Sequence, residues 1–205
     1  MIFLFINNHA LESFLTKCQS AAGIVFVARQ PVMKKILTLA LLLCGIAAGA
    51  QDLEGTFTQA KTLKISGRVI KSEGTISYSA PDQLAMLYTK PDGDYFIIDG
   101  PYLRMDMRGV TLDVNTENNK TVQAQRNAIL YSIAGKYEDI AREMDADCTV
   151  SAGKDGGKHV VIKVRKALPK GYSGMELDYK KNGQLRRMVL EEFGDISTEY
   201  VLTVN

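Results

Sequence analysis

From Leu53 onward the sequence is a close succession of short strand-like segments separated by turn residues, and this spacing limits the fold more than any other feature. Strong turn signals are Asp92-Gly93, Asp99-Gly100-Pro101, Asp155-Gly156-Gly157 and Asn182-Gly183, which are typical of hairpins and tight turns. Parallel strands need crossover connections of about a dozen residues or more, and most of these gaps are too short for that. The sequence therefore predicts eleven or twelve mostly antiparallel strands.

One segment has helical periodicity instead. Within residues 121–145, apolar side chains recur at spacings of three and four, at Ile129, Ile133, Tyr137, Ile140 and Met144. Gly135 lies in the middle and predicts a kink or two short helices. Most charged residues of the segment, with Arg126 among them, are assigned to a solvent-facing side. A helix that plugs the end of a barrel is the simplest alternative.

Two strand segments are apolar on both faces. Residues 84–88 and 95–98 do not alternate, whereas residues 102–108 alternate between apolar and polar side chains. Both faces of the first two segments are therefore expected to be covered or to face apolar groups. One helical segment cannot cover two faces of a large sheet, but a curved sheet can close over its own interior.

The first 50 residues have the order of an export sequence. Met33-Lys34-Lys35 is followed by an apolar run at 36–46 and by Ala48-Gly49-Ala50, as in a secretory signal peptide. The run of about eleven residues is too short to span a bilayer. Residues 33–50 are therefore predicted to be a signal peptide that is cleaved after Ala50, with a buried core helix as the alternative.

Two further alternatives concern the same region. Lipidation at Cys44 is disfavoured because three leucines precede this cysteine, where the lipoprotein peptidase needs a small residue. Residues 1–32 are interpreted as a mis-called N-terminal extension, or else as part of an unusually long leader. The remaining residues, 51–205, are long enough for one domain with a proper core.

Charge and residue types exclude several functions for residues 51–205. This part has 21 basic and 22 acidic residues, which excludes a broad electrostatic contact with nucleic acid. Its single cysteine, Cys148, has acidic neighbours that disfavour a thiolate, and His159 alone is a poor metal site. Gly153 to Gly157 is interpreted as a hairpin turn, and Glu191 and Glu192 should point to opposite faces of a strand. No enzyme activity, metal or cofactor is predicted.

An ordered series of short motifs along the strands resembles a known family. The series is Phe57-Thr58-Gln59, Gly74-Thr75-Ile76-Ser77-Tyr78, Pro81, Leu84 to Tyr88, Pro91, Tyr95-Phe96-Ile97-Ile98-Asp99-Gly100 and Leu103. It is similar to the LolA family, periplasmic carriers that move lipoproteins to the outer membrane, and the likeness runs from about residue 53 to 204. The resemblance implies a mainly β fold: an unclosed antiparallel β-barrel, or half-barrel, of about 11 strands with a helical lid over an apolar cavity.

The sequence departs from this family at two places. The predicted mature start leaves no room for the amphipathic helix that the family typically has before the Phe-x-Gln strand. The best-known members also have an arginine before the strand-connecting proline, which latches the lid, whereas this chain has Ala80 before Pro81. Closure of the lid is therefore expected to depend mainly on apolar contacts.

The resemblance and the strand alternation together select residues for an acyl-chain cavity. Methionine is flexible and suits an irregular apolar ligand, although ordinary core packing is the alternative for each one. The predicted cavity residues are Leu84, Met86, Tyr88, Phe96, Ile98, Leu103, Met105, Met107, Met175, Leu177, Met188 and Leu190. The predicted lid residues are Ile129, Ile133, Tyr137 and Ile140.

The resemblance also implies a location and partners. The protein is expected to be periplasmic and monomeric, to bind acylated lipoproteins, and to meet an inner-membrane release complex, with an outer-membrane acceptor as a further option. The alternative is a lipid- or lipoprotein-sensing domain of an envelope-stress regulator with the same fold.

Overall fold

The structure is a computed structural model that describes residues 52–166, 171–192 and 195–204. The predicted signal peptide, its cleavage site and the interpretation of residues 1–32 lie outside these described residues.

Eleven strands form a single antiparallel sheet. Their bounds are β1 Leu53–Leu63, β2 Arg68–Ser79, β3 Gln83–Lys90, β4 Asp92–Asp99, β5 Tyr102–Met107, β6 Val110–Asn115, β7 Ala146–Ala152, β8 Lys158–Val164, β9 Tyr172–Tyr179, β10 Leu185–Glu192 and β11 Ile196–Val204. Their order in the sheet is β6-β5-β4-β3-β2-β1-β11-β10-β9-β8-β7. Glycines in the predicted turns, such as Gly100 and Gly183, adopt positive φ values of 55° and 86°, which hairpin turns require.

The first and last strands pair with each other in the middle of the sheet. Gly55 lies opposite Val204, and the pairing continues to Leu63 opposite Ile196. The two edges are then β6 and β7, which are far apart in the sheet order although they are consecutive strands in the sequence. This arrangement confirms the prediction of an unclosed antiparallel half-barrel.

The segment between the two edge strands forms two helices, α1 at Lys120–Ile133 and α2 at Tyr137–Glu143. The side chain of Asn119 caps α1 by accepting from the backbone N–H groups of Thr121 and Val122, which satisfies two of the unpaired amides at a helix start. Gly135 has a φ of 71° between the helices, so the predicted break occurs there. We call these two helices together the lid. None of the helices in the described part is both long and apolar enough to cross a membrane.

Side chains alternate between a buried inner face and an outer face along the strands. In β3, Leu84, Met86 and Tyr88 are buried, and they pack in one core with buried residues of the lid. The outward Leu87 is 49% exposed. The expectation that both faces of this strand are covered is therefore wrong, because the lid and the curved sheet bury only the inner face.

Candidate functional site

All twelve residues predicted to line a cavity lie at inward positions of the strands. Nine are 5% exposed or less: Leu84, Met86, Tyr88, Ile98, Leu103, Met175, Leu177, Met188 and Leu190. Phe96, Met105 and Met107 are partly buried. The alternation of the sequence thus predicted which face of the strands is buried, and these residues pack in the core on that face.

Strand register joins these residues into continuous apolar rows. One row runs across five neighbouring strands as Ile76, Met86, Phe96, Met105 and Leu112, each a direct cross-strand partner of the next. At about 4.8 Å per strand, this row is roughly 19 Å long. The inner face is therefore an extended apolar surface rather than an isolated pocket.

A second row crosses the other half of the sheet, from Met188 of β10 through Leu177 of β9 to Val160 of β8. These three residues are 3% exposed or less. Several other buried inward residues were not among the predicted set, including Phe57, Ile162, Leu185 and Leu202.

The lid presents its predicted residues to this surface. Ile129, Ile133 and Ile140 are buried and Tyr137 is partly buried. Leu130 of α1 is also buried, although the sequence analysis did not include it. The hydroxyl of Tyr179 on β9 donates to the carbonyl oxygen of Ser132 at 2.9 Å, so the end of α1 is tied to the sheet by a buried hydrogen bond.

Arg126 of α1 ties the lid to the opposite half of the sheet. Its guanidinium donates to the carbonyl oxygen of Gly100, in the β4–β5 turn, and to the side chain of Asn127 at 2.7 Å. The same guanidinium lies 3.8 Å from the carboxylate of Asp82, which follows Pro81. The Arg126 side chain is only 11% exposed.

This contact corrects one expectation, because Arg126 is not on the solvent-facing side of the helix. It also adds a polar contact to a closure that was expected to depend mainly on apolar contacts. Ala80 lies in the turn between β2 and β3, where the best-known family members have an arginine. Asp82 of the same turn instead forms an ion pair with Arg126 of the lid. The lid therefore has a polar latch whose cation belongs to the helix.

The two helices are held to each other by a second polar cluster. Asn127 and Tyr131 of α1 both donate to the carboxylate of Glu143 at the end of α2, at 3.0 Å and 3.1 Å. Burial, followed by the hydrogen bond to Glu143, raises the pKa of Tyr131. Since these bonds lie within the lid, the two helices can move together as one body.

A polar stripe interrupts the apolar inner face along β1, β3 and β11. Gln59, from the Phe-x-Gln motif, donates to the hydroxyl of Tyr200 at 3.1 Å, and Tyr200 also hydrogen-bonds Tyr88. Burial raises the pKa of Tyr88 to about 12 and that of Tyr200 well above its ordinary value. The Phe57 ring packs edge-on against Tyr88 with centroids 5.0 Å apart. Both phenols therefore stay neutral and act as hydrogen-bonding groups inside the half-barrel.

An open groove of about 340 Å³ lies beside the lid, where the inner face meets solvent. Its apolar lining includes Ala124, Met144, Val164 and Tyr172, with the cations Lys120 and Lys166. The carboxylates in the lining are already engaged, since Glu143 accepts from α1 and Asp145 pairs with Arg165. The groove is thus an apolar opening bordered by charges of both signs, two lysines and two carboxylates.

The residues weighed as catalytic candidates have structural partners. Burial, and then the nearby Glu138 carboxylate, raises the pKa of Cys148, which disfavours a nucleophilic thiolate. His159 Nδ1 lies 2.7 Å from the carboxylate of Asp178 on the outer face. Within the described residues, no group of three or more His, Cys, Asp or Glu side chains could hold a metal ion.

Comparison with known proteins finds a family and several solved structures. The family model described as outer membrane lipoprotein carrier protein LolA matches residues 48–204. No curated protein sequence matches the chain at a significant level.

The solved structures share little sequence with this chain. A LolA superfamily protein from Nitrosomonas europaea is 9% identical over 76% of this chain and 85% of its own, with a TM-score of 0.34. An outer membrane lipoprotein-sorting protein domain from Vibrio parahaemolyticus is 11% identical over 82% and 89%, with a TM-score of 0.37. The lipoprotein LppX from Mycobacterium tuberculosis is 10% identical over 83% and 94%, with a TM-score of 0.33.

Proposed function

The chain belongs to the family of the outer membrane lipoprotein carrier protein LolA, and from this premise we propose that it binds the acyl chains of lipoproteins and carries them from the inner to the outer membrane. The observation that supports this most strongly is the continuous apolar inner face covered by a lid with its own latch. The polar cluster that holds the two helices together and the separate contact that ties them to the sheet are compatible with a lid that moves as a unit.

The acyl chain would lie between the inner face and the lid, and it would replace the contacts that the lid makes with the sheet. In the closed state the inner face is filled by its own side chains and by Ile129, Ile133 and Ile140. Burial of these three side chains contributes roughly 1.5–3 kcal/mol each. Burial of a chain of about fifteen methylenes contributes on the order of 12 kcal/mol, at 0.8 kcal/mol per methylene. An acyl chain can therefore replace the apolar contacts of the lid with free energy remaining to break its latch.

The same free energies imply that loading of the carrier needs an input of energy. A membrane offers an acyl chain the same 0.8 kcal/mol per methylene, so the carrier cannot extract cargo by affinity alone. We propose that an inner-membrane release complex delivers the lipoprotein with an input of energy, and that an outer-membrane acceptor or the membrane itself receives it. The protein would act in the periplasm as a monomer without a cofactor and without catalysing a reaction.

Adjacent residues of β3 provide a matched test. Met86 faces inward and is 4% exposed, whereas Leu87 faces outward. Met86→Asp should lower the affinity for an environment-sensitive acylated probe by at least about 100-fold, because binding would bury a charge beside the chain. Leu87→Asp makes the same chemical change on the outer face and should leave probe affinity within about twofold of wild type.

Folding of the variants must be checked, since a buried charge also destabilises the closed state. If Met86→Asp is unfolded by circular dichroism, Met105→Gln replaces it, because Met105 shares the inner face but is only partly buried. Equal loss of affinity in the inner and outer variants would contradict the proposed site. A folded wild-type protein that binds no acylated probe would contradict the carrier function.

A further inference from the structure

The hairpin between β1 and β2 has the most exposed large apolar side chain in the described structure. Ile65, in the turn, is 86% exposed, and Val69, at the start of β2, is 48% exposed. The turn is well formed, with the Ser66 N–H donating to the carbonyl oxygen of Leu63 at 3.2 Å and Gly67 at a φ of 66°. The two apolar side chains are therefore held outward by an ordered turn. We call residues 61–71 the hairpin tip.

The hairpin tip extends past the end of the neighbouring strand β3. The residues of β2 from Glu73 onward pair with β3, whereas the first five, residues 68–72, pair only with β1. At about 3.4 Å per residue, the tip reaches roughly 17 Å beyond the end of β3. On the other side it is supported by β11, since the N–H of Lys64 donates to the carbonyl oxygen of Asp195 at 2.8 Å. The tip is thus a braced projection.

The charge of the hairpin tip has one sign. Residues 61–71 contain four cations, Lys61, Lys64, Arg68 and Lys71, and no carboxylate. Glu191 and Glu192 of β10 lie beside Lys64 and Lys61. Among the described residues, Arg68 and Lys71 have no ion-pair partner, and both are exposed. Exposed isoleucine and valine beside uncompensated cations suit the interface of an anionic bilayer, where apolar groups enter and cations meet lipid phosphates.

The hairpin tip and the groove beside the lid lie at the same end of the sheet. Lys61 Nζ is 4.0 Å from a carboxylate oxygen of Glu192, and Glu192 is the cross-strand partner of Tyr172, which lines the groove. A surface that contacted the tip would therefore lie near the opening to the inner face.

We propose that the hairpin tip docks on the surface of an anionic phospholipid bilayer, with Ile65 and Val69 entering the interface and Arg68 and Lys71 contacting phosphate groups. The occupant is the lipid surface itself, and an acidic protein partner is the alternative that the experiment must separate. The proposal does not depend on acyl-chain transport, because docking involves the outer end of a hairpin and no cargo.

The chain contains no tryptophan, so a single introduced indole reports on its own position without background. Ile65→Trp should shift its emission to the blue with vesicles of phosphatidylcholine and phosphatidylglycerol, and much less with phosphatidylcholine alone. Leu87→Trp is the matched control, because Leu87 is also an exposed large apolar residue but lies on the outer face of β3. Its emission should stay unchanged with either vesicle. The readout is specific to one residue, so apolar residues elsewhere in the chain do not affect it.

Two pairs of charge substitutions test the electrostatic part. Arg68→Gln with Lys71→Gln should weaken binding to the anionic vesicles by about fivefold for each cation removed. Lys154→Gln with Lys181→Gln removes the same charge from exposed turns at the opposite end of the sheet and should change binding by less than about twofold. The vesicles contain no protein, so a positive result assigns the contact to lipid.

Three results would overturn the proposal. These are an unchanged emission of Ile65→Trp with anionic vesicles, an equal shift in Leu87→Trp, or equal effects of the two charge pairs. The surface would belong to a protein partner if two results occurred together. The protein would not bind vesicles, and the tip variants would capture an acidic membrane protein more weakly than wild type does. Binding of an acylated probe in solution is measured separately on Ile65→Trp, and it should remain at the wild-type level in either case.

Discussion

Replacement of Arg126 by methionine should loosen the lid while leaving the sheet intact. The Arg126 guanidinium connects α1 to the Gly100 carbonyl and to Asp82, and methionine keeps most of the apolar stem that packs beneath the helix. The substitution removes the polar latch without creating a large cavity. Unlike apolar truncations such as Ile133→Ala, it isolates the contribution of the latch from that of the buried core.

The magnitude follows from the two contacts that Arg126 makes with the sheet, at Gly100 and Asp82. A hydrogen bond from a charged donor contributes about 1.5–3 kcal/mol, and the pair with the half-exposed Asp82 adds about 0.2–1 kcal/mol. Nε of Arg126 is buried without a partner, which costs about 1–3 kcal/mol and offsets part of this gain. At the middle of these ranges, the net loss on substitution is about 1 kcal/mol. Lid opening should become roughly fivefold more frequent.

Hydrogen exchange across residues 120–143 measures this opening directly. Exchange in the lid should accelerate by that factor in Arg126→Met, while β9 and β10 keep their wild-type rates. Arg142→Met is the matched control, since Arg142 of α2 is exposed and pairs with Asp139 inside the lid. It should change lid exchange by less than about twofold. Unchanged lid exchange in Arg126→Met, or equal acceleration of lid and sheet, would refute the latch.

Three further predictions concern the inner face and its surroundings. Burial raises the pKa of Tyr88 to about 12 from about 10 in an unfolded chain. The free energy of unfolding should therefore be unaffected by Tyr88 below pH 10 and should fall by about 3 kcal/mol between pH 10 and 12. Urea unfolding should show a smaller alkaline loss in Tyr88→Phe, and an identical loss would contradict the assignment. Gly74→Ala should destabilise the protein by about 1–3 kcal/mol, because the added Cβ would lie 2.1 Å from the carbonyl oxygen of Leu87. A decrease in the free energy of unfolding of less than about 0.5 kcal/mol would contradict this. Cys148 should react with iodoacetamide at neutral pH more slowly than in urea, because burial raises its pKa. Equal rates would show an accessible thiolate.

Local patterns in the sequence were sufficient to predict the strands and helices, while their arrangement as an unclosed half-barrel with a lid was implied by the family resemblance. Period-two alternation placed Met86, Met105 and Met188 on one face, and spacing of three and four identified the helices of the lid. The short turns between strands required antiparallel neighbours. These features depend on residues close together in the chain, so a single sequence contains them.

The latch and the polar stripe depend on contacts that local patterns do not contain. Gln59 and Tyr200 are 141 residues apart and meet only because the first and last strands pair. Arg126 was assigned to solvent because of its charge, yet it precedes Ile129 by three residues and Ile133 by seven, which is the buried side of a helix. This spacing alone could have predicted that Arg126 lies on the buried side. A long side chain can pack along an apolar surface while its charged end contacts a partner.

The exposure of Leu87 has a similar cause. A run of apolar residues on one strand indicates burial on both faces only when a second layer covers the outer face. Here the helices lie on the inner side alone, so the outer residues of β3 and β4 remain partly exposed. The sequence pattern could not distinguish these two arrangements.

The central claim is that acyl chains occupy the space between the inner face and the lid. A lipoprotein or acylated peptide with a photoreactive diazirine near the end of its chain tests this directly, with the attachment sites read by peptide mass spectrometry. Adducts should form on inward residues such as Met86, Met175 and Met188 and on the buried side of the lid, and an excess of unlabelled acylated peptide should abolish them. Adducts confined to outward positions such as Leu87, or none in a folded protein at saturating probe, would contradict the account.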